Sequence, residues 1–188
     1  MAFAVLDTET TWTDVVMSIG IVIADELKFE PIHTLYDLIT PACKNGGMYS
    51  SVLRMPDQQI DFEGKRKAVI THITEQFSSF GVHSIFAYNA LFDMKHLKEL
   101  NCFAWYDIMK IAAYKQYNHA IPDSAECYST GRLKRNYGVE PIMRLLTGSN
   151  NYYEVHNALC DAADELKIMK LLGHSLDTYT CARINHGK

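Results

Sequence analysis

An apolar run, Phe3-Ala4-Val5-Leu6, opens the chain and ends at an acid, Asp7. Beyond it, apolar segments of two periods alternate along the sequence. Three early segments read as strands: residues 2–7, 15–24 and 32–40, the last closed by Pro41. The tight Asp25-Glu26 link joins the second and third as a hairpin. Residues 41–61, with Gly46-Gly47 and Pro56, read as a loop.

A helical period then sets in over 63–80, with apolar positions at Val69, Ile70, Ile73, Phe77 and Phe80 and a stop at Gly81. The remainder reads as a strand over 84–87, a helix over 91–100, a strand over 103–106 and a helix over 108–117. An irregular stretch follows at 118–130, then short helices over 131–137 and 141–147 on either side of Gly138. The most regular helix is predicted over 158–172, burying Leu159, Ala162, Leu166, Met169 and Leu172, and one more short helix lies after Gly173. Antiparallel strands followed by alternating strand and helix predict an α/β fold, a mixed sheet flanked by helices. No GxGxxG follows the first strand, which disfavours a dinucleotide-binding sheet.

Composition narrows this picture only a little. A chain of 188 residues, 48% apolar and 21% charged, is expected to form a single globular domain over 1–188. No apolar stretch is long enough to span a bilayer, and the start lacks the basic region of a signal peptide. The five cysteines are odd in number and show no CxxC spacing, which argues for a reducing, cytoplasmic setting rather than disulfides or zinc. The net charge of −4 offers no broad field for a long duplex. Basic residues come only in small groups, Lys65-Arg66-Lys67 and Arg132 with Lys134-Arg135.

The chemistry sits at element ends. Asp7 and Glu9 are two apart, so in a strand both carboxylates face one side and Thr8 the other. Two adjacent carboxylates repel unless a cation lies between them. Asp93 falls in the first turn of the predicted 91–100 helix, just after Asn89. His156 precedes the last long helix, and Asp161 lies in its first turns. Five residues of continuous helix would separate these two side chains, whereas a histidine in the preceding loop can share a cleft with the acid. Each feature alone also has an ordinary reading: a solvated turn for Asp7 and Glu9, a favourable helix-dipole position for Asp93, a surface loop for His156. Asp107 reads as the N-cap of the 108–117 helix, and Asp164 and Glu165 as solvated surface acids. The joint occurrence of the three motifs, in order and each at an element end, favours a site built from four acids and one histidine.

These residues resemble the DnaQ-like, DEDDh family of 3′→5′ exonucleases, whose fold is ribonuclease-H-like. Asp7-Thr8-Glu9-Thr10-Thr11 looks like the family's first motif, Ile19-Gly20-Ile21-Val22 like its second strand, and Tyr88-Asn89-Ala90-Leu91-Phe92-Asp93 like its second motif. His156-Asn157-Ala158-Leu159-Cys160-Asp161 looks like the third motif in its histidine form; the tyrosine form would place Tyr where Asn157 stands. Trp12 departs from the Gly, and Tyr88 from the His, that many members carry, and neither position is a metal ligand in the family. The loop 41–61 and the region 118–150 follow no particular subfamily.

The resemblance implies three strands running antiparallel and then parallel strands, with two divalent cations, Mg²⁺ or Mn²⁺, held by Asp7, Glu9, Asp93 and Asp161. It implies His156 as general base and release of nucleoside 5′-monophosphates from 3′ ends of single-stranded DNA or RNA. Thr8, Glu9, Thr10, Trp12, Asn89 and His156 would contact the strand end, with Trp12 stacking on a terminal base; packing of Trp12 into the core is the competing reading. A homodimer or a polymerase-like assembly would be compatible partners, and no membrane is. The alternative function is a catalytically silent or accessory proofreading-type subunit that binds 3′ ends.

Overall fold

The structure, a computed structural model, describes residues 2–185. Six strands form one mixed sheet in the order β4-β3-β2-β1-β5-β6. Strand β2 (Val16–Asp25) runs antiparallel to both β1 (Ala2–Thr10) and β3 (Pro31–Thr40). Strand β4 (Phe62–Lys65) lies parallel to β3, while β5 (Val82–Ala87) and β6 (Ala104–Asp107) extend the sheet in parallel beyond β1. Five α-helices cover it: α1 (Arg66–Phe80), α2 (Leu91–His96), α3 (Met109–Ala112), α4 (Val139–Thr147) and α5 (Ala158–Leu172), with a 3₁₀ helix at Leu176–Ala182. Among the described residues no helix is long and apolar enough to cross a membrane.

Period-two alternation in β1 divides the core. Ala2, Ala4 and Leu6 face α1, joining Val69, Ile70, Ile73 and Phe77. Phe3 and Val5 face the opposite layer and pack with Ala162, Leu166 and Met169 of α5. Asp7 and Glu9 continue this second row, so the alternation that buries Phe3 and Val5 also aims the two acids at α5.

One glycine sets how close α5 comes. Gly20 of β2 pairs with Asp7, and a methyl group on it would stand 2.1 Å from the Ala158 backbone. Only a residue without Cβ lets the first turn of α5 rest on the sheet there. That contact brings Asp161 alongside Asp7.

Several predicted elements differ in detail. The helix expected from residue 63 begins at Arg66, because Phe62–Lys65 pairs instead with the backbone of Asp37–Thr40. This strand is four residues long and polar in pattern, so its sequence merges with the helix that follows. The 91–100 helix ends at His96, with a 3₁₀ turn at Lys98–Leu100. The 108–117 helix is one turn long, and the 131–137 helix does not form. Both changes have one cause. The Lys115 N–H donates to the Gly131 carbonyl and the Leu133 N–H to the Ala113 carbonyl, so each segment satisfies the backbone of the other.

Candidate active site

At the carboxyl end of β1 the three sequence motifs meet. β1 contributes Asp7 and Glu9, α2 contributes Asp93, and the loop before α5 contributes His156, with Asp161 in the first turn of the helix itself. One ligand atom each from Glu9, His156 and Asp161 lie within 4.8 Å of one another. Asp93 is buried, and its Oδ1 accepts a hydrogen bond from the Thr8 hydroxyl at 2.7 Å. Thr8 thus points away from Asp7 and Glu9, as the alternation requires, and its side chain serves Asp93.

The loops are held by specific caps. Asn157 is the N-cap of α5, its Oδ1 accepting from the Leu159 and Cys160 N–H groups. Its Nδ2 donates to the Val52 carbonyl and to Gln58, and Gln58 returns a bond to Asn157 Oδ1 at 2.8 Å. His156 and Asn89 both adopt left-handed backbone, with φ of 58° and 59°. Asp107 acts as expected at the start of α3, accepting from the Met109 N–H at 3.0 Å, and also takes the Asn89 N–H at 3.0 Å. It therefore fixes the turn that leads into Asp93.

Electrostatics mark the cluster as one that lacks positive charge. Burial pushes Asp7 well above the ordinary carboxylate range, reinforced by Asp93, Glu165, Asp161 and Glu9. Glu9 is raised to about 8, by burial first and then by Asp161, Glu154 and Asp93. Asp161 is also raised to about 8, by burial and then Glu154 and Asp164, against the opposing pull of the His156 backbone N–H. Asp93 reaches about 7 through burial, restrained by its bond from Thr8. His156 moves the other way, lowered by burial. Asp161 Oδ1 is buried with no hydrogen-bond partner. An orphaned carboxylate oxygen inside a set of raised carboxylates fits a divalent cation, whose charge and oxygen preference answer both deficits.

The structure corrects one reading of the sequence and adds a residue. Glu165 is 2% exposed, not a surface acid; its Oε2 accepts the Tyr88 N–H at 3.0 Å. Burial raises its pKa well above the ordinary range, helped by Asp93. The signal was present: Glu165 is four residues after Asp161 and lies between Ala162, Leu166 and Met169 on the buried stripe. Asp164 is half-buried and accepts the Tyr152 hydroxyl at 2.6 Å. Trp12 is 70% exposed, which removes the core reading. Asn89 is exposed, and Thr10 is partly so.

No family model matches the sequence, and no curated protein does either. Solved structures do. The nuclease domain of 3′hExo, a DEDDh family member seen bound to rAMP, superposes with a TM-score of 0.65 at 15% identity, covering 100% of this chain and 97% of that one. The chain shares the fold of that nuclease domain. Exonuclease X in complex with 5′ overhanging duplex DNA gives 0.60 at 17% identity, over 96% and 99% of the two chains. E. coli Exonuclease I in complex with a dT13 oligonucleotide gives 0.59 at 15% identity, over 96% of this chain and 42% of that one. The chain also spans 64% of the 3′-exonuclease described in 3′-end specific recognition of histone mRNA stem-loop. The mixed sheet and flanking helices of this shared fold match the expectation from sequence.

Proposed function

We propose that this chain is a metal-dependent 3′→5′ exonuclease acting as a single domain on single-stranded DNA or RNA ends. One observation carries the reading: Glu9, His156 and Asp161 converge within 4.8 Å beside an unpartnered Asp161 oxygen, on a fold shared with solved exonucleases. Asp7, Glu9 and Asp161, with Asp93 directly or through water, are the residues that would hold two Mg²⁺ or Mn²⁺ ions. When bound, such ions would offset the acids' repulsion and polarise the scissile phosphodiester.

The residues of the chain do the rest. His156 accepts the proton of the attacking water at a ring nitrogen. Its lowered pKa keeps the imidazole neutral, and so able to accept, at neutral pH. The water oxygen bonds to phosphorus, the bond to the 3′-oxygen of the preceding nucleotide breaks, that oxygen takes a proton from solvent to become the new 3′-hydroxyl, and a nucleoside 5′-monophosphate leaves. Trp12, exposed two residues after Thr10, offers a face for the terminal base, while Asn89 and Thr10 line the approach. The Thr8 hydroxyl is spent on Asp93, so Thr8 meets substrate only through its backbone.

The test uses a 5′-labelled single strand in DNA and RNA versions, its blunt duplex, and a strand ending in 3′-phosphate. With Mg²⁺ or Mn²⁺ the single strand is expected to give a ladder of shortening products, the duplex to be trimmed slowly and the blocked strand to survive. EDTA is expected to abolish all of it. Internal cuts, or equal attack on the blocked strand, would overturn the reading.

A further inference from the structure

A general base must hold its imidazole in one orientation while a proton arrives, and the usual holder is a carboxylate or carbonyl bonded to the second ring nitrogen. His156 has no such holder: neither ring nitrogen hydrogen-bonds to any described residue. Its backbone is left-handed, which leaves the ring in a loop rather than against a helix. The contact that fixes the ring is a stack. Tyr49, from the loop after β3, lies face to face with it, ring centroids 4.0 Å apart and planes 13° from parallel.

The stack is tied from both sides. Tyr49 begins a 3₁₀ turn in which the Val52 N–H donates to the Tyr49 carbonyl at 3.1 Å. The Val52 carbonyl in turn accepts from Asn157 Nδ2 at 2.8 Å, and Asn157 is the neighbour of His156. Two hydrogen bonds and the peptide link from Asn157 to His156 therefore connect one stacked residue to the other. Two residues before Tyr49, Gly47 lies so close to the end of β1 that a methyl group there would stand 2.5 Å from the Thr10 carbonyl. The loop is thus seated on the strand that carries Glu9. The Tyr49 phenol is raised by burial, then by Glu9, Glu154 and Asp161, which agrees with its place at the edge of the acid cluster.

We infer that Tyr49 is the positioning residue for His156: its ring plane, rather than a hydrogen-bonded acid, holds the imidazole over Glu9 and Asp161. The inference rests on the exonuclease reading for its catalytic meaning, and on the stack alone for its structural one. The role needs a flat ring and no hydroxyl, so Tyr49→Phe should keep it while Tyr49→Ala and Tyr49→Leu lose it, the leucine keeping most of the volume.

Two measurements on the full chain test it. In NMR spectra of the metal-free protein, the His156 ring protons are identified as the signals absent from His156→Gln. They should show a ring-current shift in wild type and Tyr49→Phe that disappears in Tyr49→Ala and Tyr49→Leu. In steady-state cleavage of a single-stranded oligonucleotide, Tyr49→Phe should stay within about twofold of wild type. Tyr49→Ala and Tyr49→Leu should lose about 10–100-fold in kcat with KM nearly unchanged, the scale of a small misplacement of a catalytic group. A shift that survives Tyr49→Ala would overturn the stack. A rise in KM at constant kcat would instead make Tyr49 a strand-binding residue, and equal damage in Tyr49→Phe would assign the role to the hydroxyl. If the wild-type chain cleaves nothing, the exonuclease reading fails while the NMR result still decides the stack.

Discussion

On its inner side, against the sheet, the acid cluster is made by regular elements: Asp7 from β1, Asp93 from α2 and Glu165 from the second turn of α5. On its outer side the cluster is edged by loops, with Trp12 in the β1–β2 turn, Tyr49 after β3 and His156 before α5. The inner residues are acids, Asp93 and Glu165 buried and Asp7 partly so, whose positions follow from strand alternation and helix spacing. The outer residues are rings whose positions follow from turns, glycines and a capping asparagine. The inner side concentrates negative charge, and on the proposed function the outer side would set orientation and access.

Breaking the inner side should have the largest effect. Asp7→Asn or Asp161→Asn is expected to cut oligonucleotide cleavage by about 10⁴-fold or more, the loss of several kcal/mol of metal-dependent stabilisation, with the far-ultraviolet circular dichroism unchanged. Near-normal cleavage by Asp7→Asn would remove the site assignment. On the outer side, His156→Ala should lower the rate by about 10²–10⁴-fold with little change in Mn²⁺ affinity, and the acidic limb of the pH–rate profile should vanish. An unchanged profile would return His156 to the role of a loop residue.

A smaller effect belongs to the rim. Trp12→Ala should weaken single-strand binding by about 5–150-fold, the worth of one base stack of about 1–3 kcal/mol, and leave kcat nearly untouched. Fluorescence anisotropy with a labelled oligonucleotide in Ca²⁺ measures this directly.

The smallest expected effect sharpens the electrostatic half of the contrast. Glu9, Asp93 and Asp161 are raised to about 8, 7 and 8, and Asp7 and Glu165 are raised as well. The folded state therefore holds protons that the unfolded chain has released. Stability of the metal-free protein is then fully present below the ordinary carboxylate range and drains away as pH rises through about 7–8. Thermal melts in EDTA should show this decline, and Mg²⁺ should reverse it. Glu165→Gln should raise the metal-free melting temperature at pH 8 by roughly 2–4 °C per kcal/mol of relieved repulsion, and leave it unchanged at pH 4. A decline that persists in full in the glutamine variant would exclude Glu165 from the cluster's strain.

The same contrast describes what the sequence disclosed. Strands β1 to β3 and helix α5 are long and strongly patterned; Asp7 and Glu9 close the apolar run of β1, Asp161 lies in the first turn of α5, and only Asp93 belongs to a short element, α2. β4 was hidden because its partner, the edge of β3, is distant in sequence and Phe62 is the one apolar residue among its four. The short helices expected around Ile108 and Gly131 lost to a pairing between 113–115 and 131–133 that no local propensity encodes. Glu165 was legible by its spacing from Asp161 but masked by its charge. Tyr49 was not legible at all, since a loop residue reveals its neighbour only when the chain is folded.

Both margins of the sheet bear on how copies of this chain can associate. One ends in β4, four residues long and carrying Glu63 and Lys65; beside it, Asp61 bonds to both backbone groups of Tyr36. At the other margin, the Trp105 N–H donates to Asn185 and the Trp105 carbonyl accepts from Ile184, so the chain's own tail occupies the place of a seventh strand. Short, charged or occupied margins refuse strand-by-strand growth. Pairing at these two margins therefore offers little to a second copy of the chain.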